Sequence, residues 1–492
     1  MVARRTLMTA LVCSLTLGVL GACATTTKDA TPEDGPDGVV VLPRDATPVT
    51  VKLPASEDFQ LANGLRVRLV ENHEVPLVTL TVRIAGGSVE DPAGREGATS
   101  ILAELLTKGA GEHDAAAFQE TVDFVGGMLT AAAGSRWISV NAEFLSDDTD
   151  LALGLLSDVL RRPHFNPQEF EKERGLAVDG LRVAREKPET LIATYYGGWM
   201  LGSHPLGRPS SGDEASLGAL TLDDVQGVAQ RALVASRTIL AVAGDFDPAA
   251  MRAKIETTFG SWEAGTQPDA LATPVTRAGG NVLLVDKPDA LQTYFRFGNL
   301  GVDWSDPRYP ARYLANTILG GRFTSRLNTA LRIEGGLTYG AGSGFSDSNF
   351  GLFNVRSYTA TPTSEECMDL ALEVYRTFQE RGITAAELAS ARDYIQGQFA
   401  PDTVETAAQA AGMIVALESH GLPRTIVDEF FPALDALSLD EVNAVIRDVF
   451  PLPARLSWVV IGQADTLAPI VARYGTVTRV PLAGPGFAPL SR

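Results

Sequence analysis

Apolar and polar residues alternate in two neighbouring stretches of the chain, at 65–70 and 77–84. A period of two predicts β-strands with one buried face. Further along, at 151–160 and 366–381, apolar residues recur at helical spacing, which predicts amphipathic helices. Strands followed by helices of this kind indicate an α+β fold, in which helices pack on one face of a mostly antiparallel sheet.

The same pattern occurs twice. The alternation that begins near residue 64 returns 215 residues later without a gap. Two further blocks repeat at offsets of 217 and 218 residues, 219–225 in 436–442 and 237–244 in 455–462. In both copies of the first of these blocks, Thr or Ser stands three residues before an acid, which predicts a capping box at the start of a helix. Three blocks in one order indicate two homologous domains.

The length of 492 residues agrees with more than one hydrophobic core. The patterns predict six segments along the chain. They are a signal peptide (1–22), a flexible tether (23–50), an N-terminal domain (51–265), a linker (266–280), a C-terminal domain (281–480) and a tail (481–492). The tether is rich in Thr, Pro, Gly and Asp, and such a segment buries too little apolar surface to order itself.

The first residues predict that the protein is exported from the cytoplasm. Two arginines precede an apolar run at 7–19, and Leu-Gly-Ala stands directly before Cys23. This order resembles the bacterial lipoprotein box, which implies cleavage before Cys23 and acylation of its thiol, and a plain secretory signal is the alternative. We expect a periplasm-facing lipoprotein, anchored in the outer membrane because Ala24 is not the Asp typical of inner-membrane retention. Cys367 then has no cysteine partner for a disulfide.

The formal net charge of the chain is −19. An acidic surface repels phosphate backbones, which argues against nucleic acid as a partner. Two interpretations of the charge stay open, a preference for basic peptides and a role in solubility alone.

Several short motifs together indicate a known family. They occur in the order Glu96-Gly97-Ala98, Leu106-Thr107-Lys108-Gly109, Phe170-Glu171-Lys172-Glu173-Arg174 and His204-Pro205-Leu206-Gly207-Arg208. This order resembles the pitrilysin and insulinase family of zinc peptidases, in particular its shorter bacterial and mitochondrial-processing-peptidase-like branch. The resemblance implies a pair of homologous α+β domains, which agrees with the repeat.

Active members of this family carry His-x-x-Glu-His on a helix and a distant glutamate, because two imidazoles one helical turn apart can reach one zinc ion. In this chain, Ser100 and Glu104 occupy the histidine positions and Ala103 that of the catalytic glutamate. Gly180 stands where the distant ligand is expected. The resemblance therefore implies that this chain holds no zinc or other cofactor and is inactive as a peptidase by itself.

A different active site built from Ser100 and Glu104 is an alternative, although Ser100 has no histidine near it in sequence. The histidines include no pair at helical or short-loop spacing, and each is interpreted as a loop or surface residue. They are His73, His113, His164, His204 and His420.

The second copy keeps a motif that the first lacks. Residues 320–339 closely resemble the family stretch in which Ser-Arg-Leu opens a helix ending in Leu-Arg-Glu-x-x-Gly-Leu-x-Tyr, except that Ile333 replaces the glutamate. In the family, this Arg and Tyr lie opposite the zinc and hold the substrate, and the resemblance carries these roles to Arg332 and Tyr339. The alternative is that Arg332 pairs with an acid such as Glu334 and that Tyr339 packs at a helix end.

A glycine-rich run at 340–351 follows this motif. It either lets a substrate strand approach the backbone or forms a flexible hairpin connection, and we favour the second interpretation.

Three functions follow from these observations. We expect the non-catalytic subunit of a heteromeric periplasmic zinc peptidase, whose homologous partner holds the zinc and whose substrates are peptides. A peptide-binding or scaffold lipoprotein without a catalytic role is the second hypothesis. An independent hydrolase is the third.

Overall fold

The computed structural model describes residues 51–275, 277–346 and 350–482, and within this range only the helical backbone of 399–403. It also describes the backbone of two short strands, β1 (Glu33–Asp34) and β2 (Val40–Val41), which pair antiparallel. The predicted signal peptide, Cys23 and most of the predicted tail lie outside the described residues. The chain divides into two compact units, Met1–Val49 and Thr50–Arg492, and the second unit holds both copies of the repeat.

The N-terminal half of the second unit begins with the two predicted strands. Its strands are β3 (Glu57–Gln60), β4 (Arg66–Glu71), β5 (Leu77–Ala85), β6 (Gly109–Ala110), β7 (His113–Asp114), β8 (Met128–Ala133), β9 (Trp137–Leu145) and β10 (Thr238–Gly244). Its helices are α1 (Ala98–Leu105), α2 (Ala115–Phe124), α3 (Thr149–Arg161), α4 (Pro167–Arg185), α5 (Pro188–Leu201), α6 (Glu214–Ala219), α7 (Leu222–Ala232) and α8 (Pro248–Phe259). The pattern at 65–70 and 77–84 is confirmed as β4 and β5.

Six of these strands form one sheet in the order β3-β4-β10-β5-β9-β8. Neighbouring strands run antiparallel, except β10 and β4, which are parallel. Side chains along β5 alternate between buried and half-buried, as the period of two predicts. The buried face packs on α1, α3 and α7 in a core that includes Leu80, Leu102, Leu156 and Val225.

The C-terminal half repeats this plan. Its strands are β11 (Asn281–Asp286), β12 (Gln292–Leu300), β13 (Ala341–Phe345), β14 (Leu352–Ala360), β15 (Ser457–Gly462) and β16 (Thr476–Pro481). Its helices are α9 (Tyr309–Asn316), α10 (Arg326–Asn328), α11 (Ser364–Arg381), α12 (Ala385–Thr403), α13 (Ala407–Ser419), α14 (Thr425–Ala436), α15 (Leu439–Val449) and α16 (Ala464–Val471).

The second sheet has the order β13-β14-β12-β15-β11-β16. Strands β11, β12 and β14 lie 215 residues after β4, β5 and β9, so the sequence repeat is also a structural repeat. The sheets differ at one edge. In the first sheet, the edge strand beside β4 is the preceding strand β3, which runs antiparallel to β4. In the second sheet, the edge strand beside β11 is the later strand β16, which runs parallel to β11. The predicted α+β fold with two homologous domains is confirmed.

Each sheet also receives one helix from the other half. Helix α5 packs on the C-terminal sheet against β12 and β15, and α13 packs on the N-terminal sheet against β10 and β5. We call α5 and α13 the exchanged helices. The central strands β10 and β15 are buried on both faces beneath them, which explains why both strands are almost continuously apolar. The predicted helical layer on one face of each sheet is thus joined by an exchanged helix on the other.

Buried contacts fix the exchanged helices in place. Tyr196 on α5 donates a hydrogen bond from its hydroxyl to the carbonyl oxygen of Phe353 at 2.6 Å. Gly298 provides the space, because a Cβ at that position would lie 2.5 Å from the Tyr196 hydroxyl. On the other sheet, Glu418 of α13 pairs with an arginine of β4, Arg68, at 2.8 Å. The two halves therefore complete each other's packing.

The helix starts agree with the sequence. Both predicted capping boxes form, Thr221 with Asp224 at α7 and Ser438 with Glu441 at α15. In the described part of the chain, no helix combines the length and the apolar character needed to cross a membrane.

Candidate functional site

The start of α1, the helix that carries the altered zinc motif, is fixed by Asp91. The Asp91 carboxylate accepts hydrogen bonds from the backbone N–H groups of Gly97 and Thr99 and from the Thr99 hydroxyl. Burial raises the pKa of Asp91 to about 6, although these hydrogen bonds and Arg208 act in the opposite direction. Arg208, at the end of the His-Pro-Leu-Gly-Arg motif, donates to the backbone carbonyls of Asp91 and Val89. The motif therefore stabilises the entry to α1.

The four altered motif positions lie on two adjoining helices. Ser100 donates its hydroxyl to the carbonyl oxygen of Ser210 at 2.8 Å. Ala103 is buried and Glu104 is exposed on α1. Gly180 lies on α4, which packs against α1, and a Cβ added at Gly180 would meet no atom of a neighbouring element within 4 Å. These positions offer one carboxylate and no imidazole, so they do not provide the ligand set that zinc requires.

The histidines are spread over the molecule. The two ring nitrogens of His73 donate to Asp245 and Glu71, at 2.5 and 2.8 Å, and the hydrogen bond to Asp245 is the largest cause of its raised pKa. His164 and His204 bond to backbone carbonyls. Over the residues that the structure describes, no group of three His, Cys, Asp or Glu side chains is placed to hold a metal ion.

Two π-helical turns, Thr317–Gly321 and Thr329–Glu334, occur in the C-terminal half, and the second carries Arg332. Turns of this kind are rare and frequently occur at functional sites. Gly320 lets the first turn approach the sheet, because a Cβ there would lie 2.3 Å from the backbone nitrogen of Ser343 on β13. The turn that precedes the Arg332 segment is therefore closely packed against the edge strand of the sheet.

Arg332 and Tyr339, the two residues of the motif in the second copy, have different surroundings. The Arg332 guanidinium lies over the ring of Phe323, 4.8 Å from its centre, and its side chain lines a cavity of about 530 Å³. Tyr339 is 80% exposed. Among the described residues, no carboxylate lies within ion-pair distance of Arg332, so the alternative of a pair with Glu334 is not observed. Both side chains are accessible to a molecule that arrives from outside.

Three further arginines line the same cavity, and the sequence analysis did not single them out. They are Arg296, Arg322 and Arg356. Arg296 on β12 and Arg356 on β14 stand directly opposite each other in the register of the sheet. A signal for two of them exists in the sequence, because Arg296 and Arg356 each interrupt a strand that is rich in apolar and aromatic residues.

The glycine-rich run agrees in part with the interpretation that we favoured, because 346–351 connects the antiparallel strands β13 and β14 as a hairpin does. Its first part, Ala341–Phe345, is the edge strand β13, which pairs antiparallel with β14. Gly320 packs against this strand, so the run begins as ordered sheet and not as a flexible connection.

Comparison with known families gives two matches that follow each other along the chain. Residues 66–211 match the insulinase family, peptidase family M16, and residues 219–395 match the peptidase M16 inactive domain. The chain therefore belongs to peptidase family M16. With Ser100, Ala103, Glu104 and Gly180 at the motif positions, it is a non-catalytic member of that family.

Individual relatives cover most of the chain. An uncharacterised zinc protease of Bacillus subtilis is 24% identical over 80% of this chain and 95% of its own length. Another, from Streptomyces coelicolor, is 27% identical over 84% of this chain and 92% of its own length.

Solved structures share the fold. A peptidase M16 inactive domain from Pseudomonas fluorescens has a TM-score of 0.78 at 24% identity, covering 87% of this chain and 100% of that chain. A chain of complex III2 from Candida albicans has a TM-score of 0.71 at 16% identity, covering 85% of this chain and 100% of that chain.

Proposed function

We propose that this chain is the non-catalytic subunit of a heteromeric zinc metallopeptidase of the cell envelope. It supplies Arg332 and Tyr339 to a zinc site on a homologous subunit, and the two subunits together hydrolyse peptides. One observation carries the proposal. The helix α1 lacks its histidines, whereas Arg332, in the other half, has no carboxylate partner among the described residues and lines an open cavity.

The chemistry of the two side chains fits this role. A guanidinium and a phenol hydroxyl both donate hydrogen bonds, so they can hold a peptide carbonyl while negative charge develops on its oxygen. Such donors act without a metal ion of their own. The likeness to a chain of complex III2 also supports a place for this fold within a larger assembly.

The first experiment measures zinc content and peptidase activity of the purified chain alone and after mixing with a zinc-motif homologue from the same organism. We expect the chain alone to be metal-free and silent, and the mixture to be more active than the homologue by itself. Replacing one oxyanion donor typically lowers kcat by about 10²-fold or more, so Arg332→Gln should remove this gain. Arg231→Gln, at an exposed arginine of α7, is the matched control and should leave it unchanged.

The scaffold hypothesis makes a different prediction for the same mixture. If Arg332→Gln and Tyr339→Phe leave turnover unchanged while the complex still assembles, the chain has a binding role without a part in catalysis. Stoichiometric zinc and activity in the chain alone would overturn both hypotheses.

The cellular address belongs to the same proposal. The Cys23 motif supports attachment to a membrane by a lipid anchor on the periplasmic side. Replacing the acylated residue, Cys23→Ala, should move the chain from the membrane fraction to the soluble fraction, and an unchanged distribution would contradict the anchor.

A further inference from the structure

The cavity that Arg332 lines is rich in positively charged side chains. We call it the arginine cavity, and its positive side chains are Arg296, Arg322, Arg332 and Arg356. Among the described side chains that line it, Glu189 from the exchanged helix α5 is the one acid. Glu189 lies near Tyr294, and burial and then Glu189 raise the pKa of that phenol to about 12. The cavity therefore combines four guanidinium groups with one carboxylate.

Arg296 and Arg356 repel each other. They are directly opposed on neighbouring strands, and like charges in that position destabilise a sheet. Burial, and next the charge of Arg356, lower the pKa of Arg296 to about 10. The Nε atoms of Arg296 and Arg322 are buried, and neither has a hydrogen-bond partner among the described residues. A buried donor without an acceptor is costly, so the folded chain alone leaves this cluster incomplete.

The shortage of partners is local. The sequence contains 60 acidic and 41 basic residues, and arginines elsewhere in the same half find carboxylates. Arg326 donates two hydrogen bonds to Glu387, at 2.6 and 2.7 Å. Within the described part of the chain, the arginines of the cavity form no ion pair of this kind. Such a cluster in an acidic protein indicates a place for an anion from outside.

The walls of the cavity fit a peptide. Tyr294 and Tyr358 stack on each other, with ring centres 5.4 Å apart, and give a flat aromatic wall. Gly340 and Gly342, at the start of the edge strand β13, give a stretch of wall whose only side chain is the methyl group of Ala341. A peptide backbone can approach glycine closely, while a carboxylate on the peptide can meet guanidinium groups in bidentate fashion.

We propose that the arginine cavity binds a carboxylate group of a peptide, and that acidic peptide segments are therefore the substrate class that this subunit receives. This inference deepens the proposed function and rests on it for its biological meaning. The binding step, however, is a property of this chain alone and needs no partner subunit.

The test measures binding of fluorescein-labelled hexapeptides to the purified full-length chain by fluorescence anisotropy. One peptide contains two internal glutamates and an amidated C-terminus, and its matched control has glutamine at both positions. We expect the glutamate peptide to bind at least tenfold more tightly. A charge-assisted hydrogen bond is worth about a tenfold change in affinity. Arg356→Gln should therefore weaken binding of the glutamate peptide by about this factor and leave binding of the glutamine peptide unchanged.

Two further variants support the test. Arg296→Gln should have the same effect as Arg356→Gln, whereas Arg231→Gln should bind both peptides as the unchanged chain does. Arg356 is exposed, so its replacement leaves the core intact if the half-buried Arg296 proves necessary for folding. Thermal unfolding of each variant checks this point.

Two arms distinguish the source of the anion. If the glutamine peptide with a free C-terminus gains affinity in an Arg356-dependent way, the terminal carboxylate is the group that binds. Inorganic phosphate is the competitor in the second arm, and phosphate binding without any glutamate peptide binding would overturn the proposal. Equal affinity for both amidated peptides would overturn it too. A failure of the proposed function would look different, because Arg332→Gln would then leave the partner's turnover unchanged while peptide binding here persisted.

Discussion

Two regions of this molecule, the start of α1 in the N-terminal half and the arginine cavity in the C-terminal half, use their arginines in opposite ways. Around α1 in the N-terminal half, cations are paired. Arg95 donates to Asp224 at 3.0 Å, and Arg237 donates to Glu90 at 2.7 Å. In the C-terminal half, two guanidinium groups of the arginine cavity stand directly opposite each other, and none of its four arginines forms an ion pair with a carboxylate of the described chain.

The difference separates structural charge from functional charge. A paired arginine stabilises a loop or a helix end, as Arg208 does at the entry to α1. A cluster of unpaired arginines costs free energy in the folded chain, and a bound anion would offset that cost. The loops around the altered zinc motif thus pair their arginines with nearby carboxylates, whereas the arginine cavity keeps hydrogen-bond donors that no described carboxylate meets.

The largest expected effect is a loss of stability that would show that the two halves depend on each other and cannot be compared as separate domains. Tyr196→Ala removes a buried aromatic ring of α5 from the opposite sheet and should lower the free energy of unfolding by about 3 kcal/mol or more. Tyr339→Ala, at a side chain that is 80% exposed, is the control and should change it by less than about 0.5 kcal/mol. Urea denaturation measures both, and similar losses would contradict the importance of the exchanged helix.

The next effect sharpens the account of α1. The pKa of Asp91 is raised to about 6 in the folded chain, so the folded state holds this proton more tightly than the unfolded state, in which an aspartate has its ordinary pKa near 4. The ionised form is therefore penalised, and the Asp91 contribution falls by about 2 kcal/mol as the pH rises from 4 to 6.5.

Asp91→Asn has no such titration and is the comparison for this pH effect. Urea denaturation at the two pH values should show the difference in stability between unchanged chain and variant shifting by this amount in favour of the variant. A difference that is independent of pH would show that Asp91 titrates normally.

The smallest effect tests the repulsion in the arginine cavity. Arg356→Gln removes one of two opposed charges and should raise the free energy of unfolding by about 0.5 kcal/mol at low ionic strength. Added salt should reduce this gain, because exposed charges are screened. Arg252→Gln, which breaks a pair with Glu57, should have the opposite sign, and a loss of stability for both variants would argue against unpaired charge in the cavity.

Much of the fold could be predicted because its signals are local. The alternation in β5 and the capping boxes of α7 and α15 depend on neighbouring residues, and the repeat doubles every such signal. The loss of the zinc ligands could also be predicted, since Ser100 and Gly180 cannot replace an imidazole or a carboxylate as zinc ligands whatever their surroundings.

The exchanged helices and the arginine cavity could not be predicted in this way. Tyr196 meets Phe353 across 157 positions of sequence, and no local period reveals such a contact. The continuous apolar runs of β10 and β15 indicate burial on both faces, but they do not say which helix supplies the second cover. Arg296 and Arg356 likewise become a pair only when β12 and β14 lie side by side.

The exchange of equivalent helices gives one polypeptide the connectivity of a domain-swapped dimer. A protease cut between 266 and 280 would therefore leave two fragments that still clasp each other, and they should elute as one particle in size-exclusion chromatography. Either fragment expressed alone would present a bare apolar sheet, such as the face of Ile239 and Ala241 that α13 normally covers. Each half therefore shields from water an apolar sheet face that the other half would expose if it folded alone.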